Sequence, residues 1–258
     1  MNEIEWLNSI DVAAMRRFLE RPGSPIRTRW QGWVTVPSRA PNERKSQLFA
    51  TACCRRMTQW LPDSFVAWLD WLDDAADGKR ERPQYPRDRL SWDELESRPA
   101  RESIWYAMIS VGAQPFIHHE VVVGAVVQAF VSLRLRSELT AWVIEQQERG
   151  VDVSEIPDAV QAKATNQLRI EEFAVHAAIL RDLVGNPFRR VELIPAWRTR
   201  NAIELARQIY DERAFDGMPI LADALEEAGC DRVEILEHCR SAGPHVRGCW
   251  VVDDVLIK

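Results

Sequence analysis

The stretch TRNAIELARQIYDERAFDGMPILADALEEAGCDRVEILEHCRS, residues 199–241, decides the fold class. Its apolar residues recur with the period of an α-helix, and turn signals interrupt the pattern at Asp216-Gly217 and Gly229. Pro219 suits the first turn of a helix, and Gly229 suits the position just after one. The predicted helices run from about residue 199 to 211, from 219 to 228 and from 231 to 241. Because connections this short keep successive helices side by side, residues 186–258 are expected to form a compact helical array.

The same signals extend upstream of this array. Asn42 is a good N-cap residue, and two patterns, Ser91 with Glu94 and Asp231 with Glu234, have the form of a capping box. Residues 121–135 are apolar and valine-rich, and their length favours a buried helix over a strand. Helices are therefore also predicted over about residues 9–21, 42–61, 64–77, 91–98, 100–111, 121–135, 137–147 and 158–184.

These patterns predict an all-α fold in which residues 1–258 form a single helical domain. The exception is the loop 24–41, which is rich in proline and has no helical period, so that a minor β element is expected there, a short strand at Trp33–Val36. The charged segment 79–89 contains Pro83 and Pro86 and is the best candidate for a boundary within the domain.

Composition places the chain among ordinary globular proteins and narrows its partners. Hydrophobic residues make up 46% and charged residues 28%, which argues against disorder. The formal net charge of −6 gives no general attraction to nucleic acid or to an anionic membrane. The longest apolar run, residues 121–131, is shorter than the ~20 residues that span a bilayer. Five cysteines without a recognisable secretion signal indicate free thiols and a cytoplasmic protein.

The segment IYDERAFDGMPILADALEEAGCDRVEILEHCRSAGPHVRGCWVVD, residues 209–253, resembles the C-terminal signature of a large, uncharacterised bacterial family that is expanded in planctomycetes. Four shorter segments fit the same pattern: GNPFR at 185–189, PAWRT at 195–199, EWL at 5–7 and RKSQLFATACCRR at 44–56. The middle of the chain departs from it, with a tryptophan-containing stretch at 100–147. The resemblance implies one helical fold built from both termini and carries no established activity.

The C-terminal segment contains the residue types that bind zinc. Zinc takes four thiolate or imidazole ligands in a tetrahedron, but the spacing of these residues matches no known zinc motif. Adjacent residues of a helix point about 100° apart, so His238 and Cys239 are not expected to serve one ion. Packing of the thiols as small apolar side chains is the competing interpretation. The candidate ligands are Cys230, His238, Cys239, His245 and Cys249.

Two loops are the candidate binding surfaces. Arg189 follows a proline-containing turn, and the loop GPHVRG, residues 243–248, contains His245 and Arg247 and leads to Trp250. Glycine and proline fix the backbone beside each arginine, and function often lies on loops of this kind. The alternative is that these loops only turn the chain, with their arginines binding the carbonyl groups of helix ends.

Other reactive side chains have simpler explanations. Cys53 and Cys54 precede two arginines that would favour a thiolate, but Cys53 falls on the apolar stripe of its helix, which indicates core packing. Glu172 and His176 are spaced i,i+4, which indicates a pair on one helix rather than a metal site shared with His118 to Glu120.

No motif for catalysis or cofactor binding is present, so the sequence favours a non-enzymatic helical adaptor without a cofactor. Such a protein would act through a protein partner, and the abundant tryptophan and arginine are the residue types of interaction hot spots. One alternative is a small thiol- or metal-dependent enzyme that uses the C-terminal cysteines and histidines. Another is a zinc-stabilised structural module without chemistry of its own.

Overall fold

The computed structural model describes residues 1–20, 25–28, 32–35, 42–81, 93–95, 101–112, 119–189 and 191–258. These residues form eleven α-helices and one two-stranded hairpin, which confirms the all-α fold with a minor β element. The helices are α1 (Glu3–Asn8), α2 (Val12–Glu20), α3 (Glu43–Arg55), α4 (Asp63–Ala76), α5 (Arg101–Gly112), α6 (His119–Glu148), α7 (Asp158–Val184), α8 (Arg200–Glu212), α9 (Met218–Glu227), α10 (Val233–Arg240) and α11 (Trp250–Leu256). Short 3-10 helices lie at Thr58–Trp60, Asp93–Leu95, Pro195–Trp197 and Phe215–Gly217.

The hairpin occupies the loop in which the sequence predicted a strand. Its strands β1 (Pro25–Thr28) and β2 (Gly32–Thr35) pair antiparallel, with Ile26 opposite Val34. No helix among the described residues is long and apolar enough to cross a membrane.

The chain divides into two compact units. The terminal unit contains residues Met1–Lys45 and Ala177–Lys258, and the central unit contains Ser46–His176. The unit boundaries fall within α3 and α7. The predicted boundary at 79–89 lies mostly outside the described residues, and the single domain over 1–258 stays a prediction.

Helices α8 to α11 supply the apolar core of the terminal unit. Helix α9 packs against α8 and α10, and α8 also packs against α11. Thr199 caps α8 by accepting a hydrogen bond from the Ala202 amide at 3.3 Å, and Gly229 turns the chain after α9 with φ +89°. The most buried core side chains include Tyr210, Leu221, Leu225, Ile235 and Val252.

One predicted capping box of this region is wrong. Asp231 and Glu234 do not cap α10, because the N-cap of α10 is Arg232 and no side chain caps it. The helix begins one residue later than the pattern requires, which leaves Asp231 outside its first turn. A capping box does start α1, where the Glu5 amide donates to the Asn2 side chain at 2.8 Å and the Asn2 amide donates to the Glu5 carboxylate at 2.9 Å. The sequence prediction had no helix there.

The last turn of α7 anchors the N-terminal residues of the terminal unit. The Arg181 guanidinium donates to the Trp6 carbonyl at 2.9 and 3.0 Å and also to the Ser9 carbonyl. Glu3 accepts hydrogen bonds from Asn186 at 2.7 Å and from Arg189 at 2.6 Å. These polar contacts fix α1 beside the end of α7, while Trp6 is fully buried.

A buried carboxylate fixes α11 within the same unit. Asp253 accepts two hydrogen bonds from Arg44 at 2.7 and 2.9 Å and lies 3.3 Å from the Lys45 ammonium. Lys45 also donates to the Leu183 carbonyl at 2.6 Å, and Arg44 donates to the Tyr210 hydroxyl at 2.6 Å. The charge of Asp253 is therefore compensated inside the protein, as burial requires.

The central unit contains α4, α5 and α6 and most of α3 and α7. Its longest element, α6, is one helix of 30 residues, whereas the sequence predicted two helices that meet near Ser137. The chain has no proline or glycine at that point, so nothing stops the first helix. The predicted capping residue Ser91 lies outside the described residues, and the described part of that segment is a 3-10 helix.

Candidate metal centre

Four side chains with metal-binding atoms converge in the terminal unit. Asp182 lies in the last turn of α7, and His238 lies in the second half of α10. His245 and Cys249 belong to the loop between α10 and α11. Helix α10 ends at Arg240 and the loop then turns back, which brings His245 and Cys249 to the end of α7. We refer to these four residues as the Asp-His-His-Cys cluster.

The four candidate ligand atoms are close enough to surround a single ion. Asp182 Oδ1 lies 2.7 Å from His245 Nδ1 and 3.2 Å from His238 Nε2. His238 Nε2 also lies 3.2 Å from Cys249 Sγ. One ligand atom from each residue can be chosen such that all four lie within 4.8 Å of one another. The cluster could therefore hold a metal ion.

Burial makes the charges of this cluster depend on one another. The side-chain exposure is 2% for Asp182, 5% for His245 and 19% for His238, and Cys249 is fully buried. Burial acts to raise the pKa of Asp182, but hydrogen bonds from His238 and His245 outweigh it and hold that pKa below its usual value. Burial raises the pKa of the Cys249 thiol well above its usual value, and the negative charge of Asp182 adds to this effect. A nearby cation would favour the thiolate form of Cys249.

Backbone groups orient two side chains of the cluster. Asp182 Oδ2 accepts a hydrogen bond from the Val246 amide at 2.9 Å, which directs Oδ1 towards the imidazoles. His245 Nε2 lies 3.3 Å from the carbonyl oxygen of Ser241 and 3.4 Å from its hydroxyl. Contacts of this kind to the second nitrogen of a histidine are characteristic of metal sites, because they fix the ring and its tautomer.

The contacts of His245 are compatible with more than one arrangement of protons in the cluster. If His245 donates a hydrogen bond to the Ser241 carbonyl, the hydrogen lies on Nε2, because a carbonyl oxygen only accepts. In a neutral imidazole, Nδ1 is then an acceptor that faces the Asp182 carboxylate at 2.7 Å. Two acceptors at this distance repel each other unless a proton or a metal ion lies between them. The geometry thus fits an imidazolium or a shared cation, and it also fits a neutral ring that donates from Nδ1 to Asp182 with Nε2 unprotonated.

The structure brings together three of the five predicted metal ligands. His238, His245 and Cys249 belong to the cluster, whereas Cys230 and Cys239 do not. Cys230 and Cys239 are buried thiols, and burial raises the pKa of Cys239 to about 12. Only one member of the adjacent pair His238-Cys239 points to the centre, in keeping with the helical geometry.

The fourth member of the cluster, Asp182, was not among the ligands predicted from the sequence. It precedes His245 by 63 residues and lies in a long helix with many other acidic residues. Its one local signal is its position a single turn before Gly185, where α7 ends with φ +73°. That signal predicts the end of a helix and says nothing about a ligand.

The predicted binding residues have different surroundings. Arg189 is exposed and pairs with Glu3 at 2.6 Å, and His245 belongs to the cluster. Arg247 is buried, with its guanidinium carbon 4.9 Å from the centre of the Tyr210 ring. Trp250 is partly buried, and its ring centre lies 5.2 Å from that of His238.

The remaining reactive side chains are in the central unit. Cys53 and Cys54 are buried, and burial is the main cause that raises the pKa of each thiol. Glu172 lies 3.1 Å from His176 and 3.3 Å from Arg56, so the i,i+4 pair is present. His118 lies outside the described residues.

Comparisons of the chain with protein-family models, with curated proteins and with solved structures gave no match. The family resemblance of residues 209–253 therefore stays a prediction, and the cluster has to be interpreted from its own geometry.

Proposed function

We propose that the terminal unit is a zinc-stabilised structural module, with Asp182, His238, His245 and Cys249 as the ligands. The observation that carries the proposal is the convergence of four ligand atoms of the types that zinc prefers. The four side chains come from α7, α10 and the loop before α11, so one ion would join three segments of the chain. Binding energy of this kind contributes directly to folding.

The ligand types favour zinc over the hard divalent cations. Magnesium and calcium take oxygen ligands, whereas a thiolate with two imidazoles suits zinc and its transition-metal neighbours. Zinc bonds of about 2.0–2.3 Å place the ligand atoms of a tetrahedron about 3.3–3.6 Å apart. Three of the separations, at 2.7, 3.2 and 3.2 Å, are shorter than that value, and the other pairs of ligand atoms lie within 4.8 Å of one another.

The number of protein ligands favours a structural role. Catalytic zinc sites have three protein ligands and an open position for water, whereas structural sites have four. Here four side chains converge, and three of them have an exposure of 5% or less. Asp182 and His245 are also held by backbone groups, as the ligands of a rigid site are.

The same geometry argues against a thiol-dependent enzyme. In a Cys-His-Asp triad the two nitrogens of the imidazole contact different partners, because one takes the thiol proton and the other is oriented by the carboxylate. The same atom of His238, Nε2, faces both Asp182 and Cys249. Cys249 is also fully buried, which keeps a substrate away from its sulfur atom.

The adaptor function remains a separate prediction that a structural zinc ion does not oppose. An interaction surface was expected to expose tryptophan, but the tryptophans whose side chains are described are all buried or partly buried. The zinc module is therefore better supported. A protein partner and a cytoplasmic location stay predictions.

Metal analysis of the purified full chain tests the proposal. We expect about one zinc ion per chain, and we expect Cys249→Ser to lose it, because zinc binds a thiolate far better than a hydroxyl. Cys230→Ser is the matched control, since it changes a buried thiol of the same unit outside the cluster, and it should keep the zinc. The chain should also bind cobalt after zinc removal and show a cobalt–thiolate charge-transfer band. A wild-type protein that holds neither ion at stoichiometric level rules the proposal out.

A further inference from the structure

Trp250 occupies a defined position beside the Asp-His-His-Cys cluster. It is the first residue of α11 and follows Cys249 directly. Its ring centre lies 5.2 Å from that of His238, with an angle of 51° between the ring planes. Its side chain is partly buried and packs against the core of the terminal unit. The indole therefore contacts one ligand and adjoins another in the chain.

The other side of the indole lies against Gly185. A Cβ atom added at Gly185 would lie 3.3 Å from Cγ of Trp250, which is tighter than an ordinary contact. Gly185 also has φ +73°, a conformation that favours glycine at the end of a helix. The indole is thus enclosed between the end of α7, which contains Asp182, and the ring of His238.

His238 is the ligand with the greatest access to solvent. Its side chain is 19% exposed, compared with 5% for His245, 2% for Asp182 and none for Cys249. Loss of a metal ion from a buried site begins with the release of one ligand, and water or a competing chelator then takes the free position. The most exposed ligand offers the easiest route for this exchange. Exchange at this cluster is therefore expected to begin at His238.

We propose that Trp250 is a positioning residue that holds the His238 ring in its metal-binding orientation and so slows the exchange of the metal ion. This inference rests on the proposed zinc site and adds a determinant of its kinetics. Packing of the indole restricts rotation of the imidazole, so Nε2 stays directed at Asp182 and Cys249. A smaller side chain at position 250 leaves the ring free to turn towards solvent.

The test measures zinc release from the zinc-loaded full chain into an excess of a chromogenic chelator. Residues that support metal ligands typically change metal affinity by about 10–100-fold, so Trp250→Leu is expected to release zinc at least about tenfold faster than the wild type. Trp250→Phe keeps an aromatic ring beside His238 and should remain within a few-fold of the wild type. The rescue by phenylalanine separates a ring contact from a general loss of packing.

Trp71→Leu is the matched control for this experiment. Trp71 is also a partly buried tryptophan, with the Arg80 guanidinium over its ring at 4.8 Å, but it belongs to the central unit. Its replacement should leave the rate of zinc release unchanged. The cobalt spectrum gives a second readout, because an altered His238 ligand changes the absorption of the bound ion while a remote packing defect does not.

The possible outcomes separate this inference from the proposed function. If the wild type binds no zinc, the zinc module itself is wrong. If zinc binds and Trp250→Leu releases it at the wild-type rate with an unchanged cobalt spectrum, the positioning role is wrong. Should Trp250→Leu lose its helical circular dichroism, Trp250→Met replaces it as a longer apolar side chain that still lacks a ring. The same acceleration is expected there, and a wild-type rate overturns the inference.

Discussion

Two carboxylates of α7, Asp182 in the terminal unit and Glu172 in the central unit, are both buried and both contact histidine, but they differ in their cations. Glu172 lies 3.3 Å from the Arg56 guanidinium, a permanent positive charge. Asp182 contacts two imidazoles, and an imidazole, unlike a guanidinium, is not a permanent cation. Buried carboxylates need a compensating cation. Arg56 supplies it for Glu172, and the cluster around Asp182 has the ligands to bind one from solution.

The largest expected effect comes from removing each carboxylate. Asp182→Ala should lose the zinc ion and about 3–5 kcal/mol of unfolding free energy, because it leaves two imidazoles and a buried thiol without their shared partner. Glu172→Ala should destabilise the protein by about 1–3 kcal/mol and keep the zinc ion. Metal content and urea unfolding measure both effects. If both variants keep the zinc, the contrast between the two carboxylates is wrong.

Removal of the ion from the wild type should produce the second-largest loss of stability. An ion that is present at about a thousand times its dissociation constant stabilises the folded state by about 4 kcal/mol. A chelator should therefore lower the melting temperature of the wild type and of Glu172→Ala by the same amount. Asp182→Ala, which has no ion to lose, should not respond. An equal response of Asp182→Ala would mean that the chelator acts elsewhere.

Acid should reduce the contribution of both carboxylates to the stability of the metal-free protein. Burial acts to raise the pKa of Glu172, but its His176 and Arg56 partners hold that pKa below its usual value, and the pKa of Asp182 is lowered in the same way by its two histidines. A carboxylate whose pKa is lowered in the folded state contributes stability that is complete above its unfolded pKa of about 4 and is lost as the pH falls further. Unfolding free energies of the metal-free protein between about pH 3 and 6 should therefore fall less steeply in Asp182→Asn and in Glu172→Gln than in the wild type. Parallel curves for all three proteins would contradict the lowered pKa values.

The same two regions show what the sequence could and could not predict. Helix periods and caps are local, so the three helices between residues 199 and 241 followed from the stretch itself, and so did the Glu172–His176 pair at i,i+4. Three candidate ligands also lie within twelve residues of one another, from His238 to Cys249. The participation of Asp182 depends on packing of α7 against a loop 63 residues later, and no local pattern records that contact. The predicted helix start at Asp231 was wrong for a related reason. A shift of one residue decides whether a side chain reaches the first turn of the helix.

The smallest expected effect concerns Ser241, which contacts Nε2 of His245. Its hydroxyl donates to the His238 carbonyl at 2.8 Å and lies 3.4 Å from His245 Nε2. Ser241→Ala removes the hydroxyl but leaves the carbonyl that also faces Nε2, so zinc affinity should fall by less than about tenfold. Competition with a chelator of known affinity measures this change. Ser132→Ala is the matched control, because its hydroxyl makes the same kind of bond to the Gln128 carbonyl at 2.8 Å in the central unit, and it should leave zinc affinity unchanged. A loss of zinc in Ser241→Ala as complete as that expected for Asp182→Ala would show that the hydroxyl, and not the carbonyl, fixes the tautomer of His245.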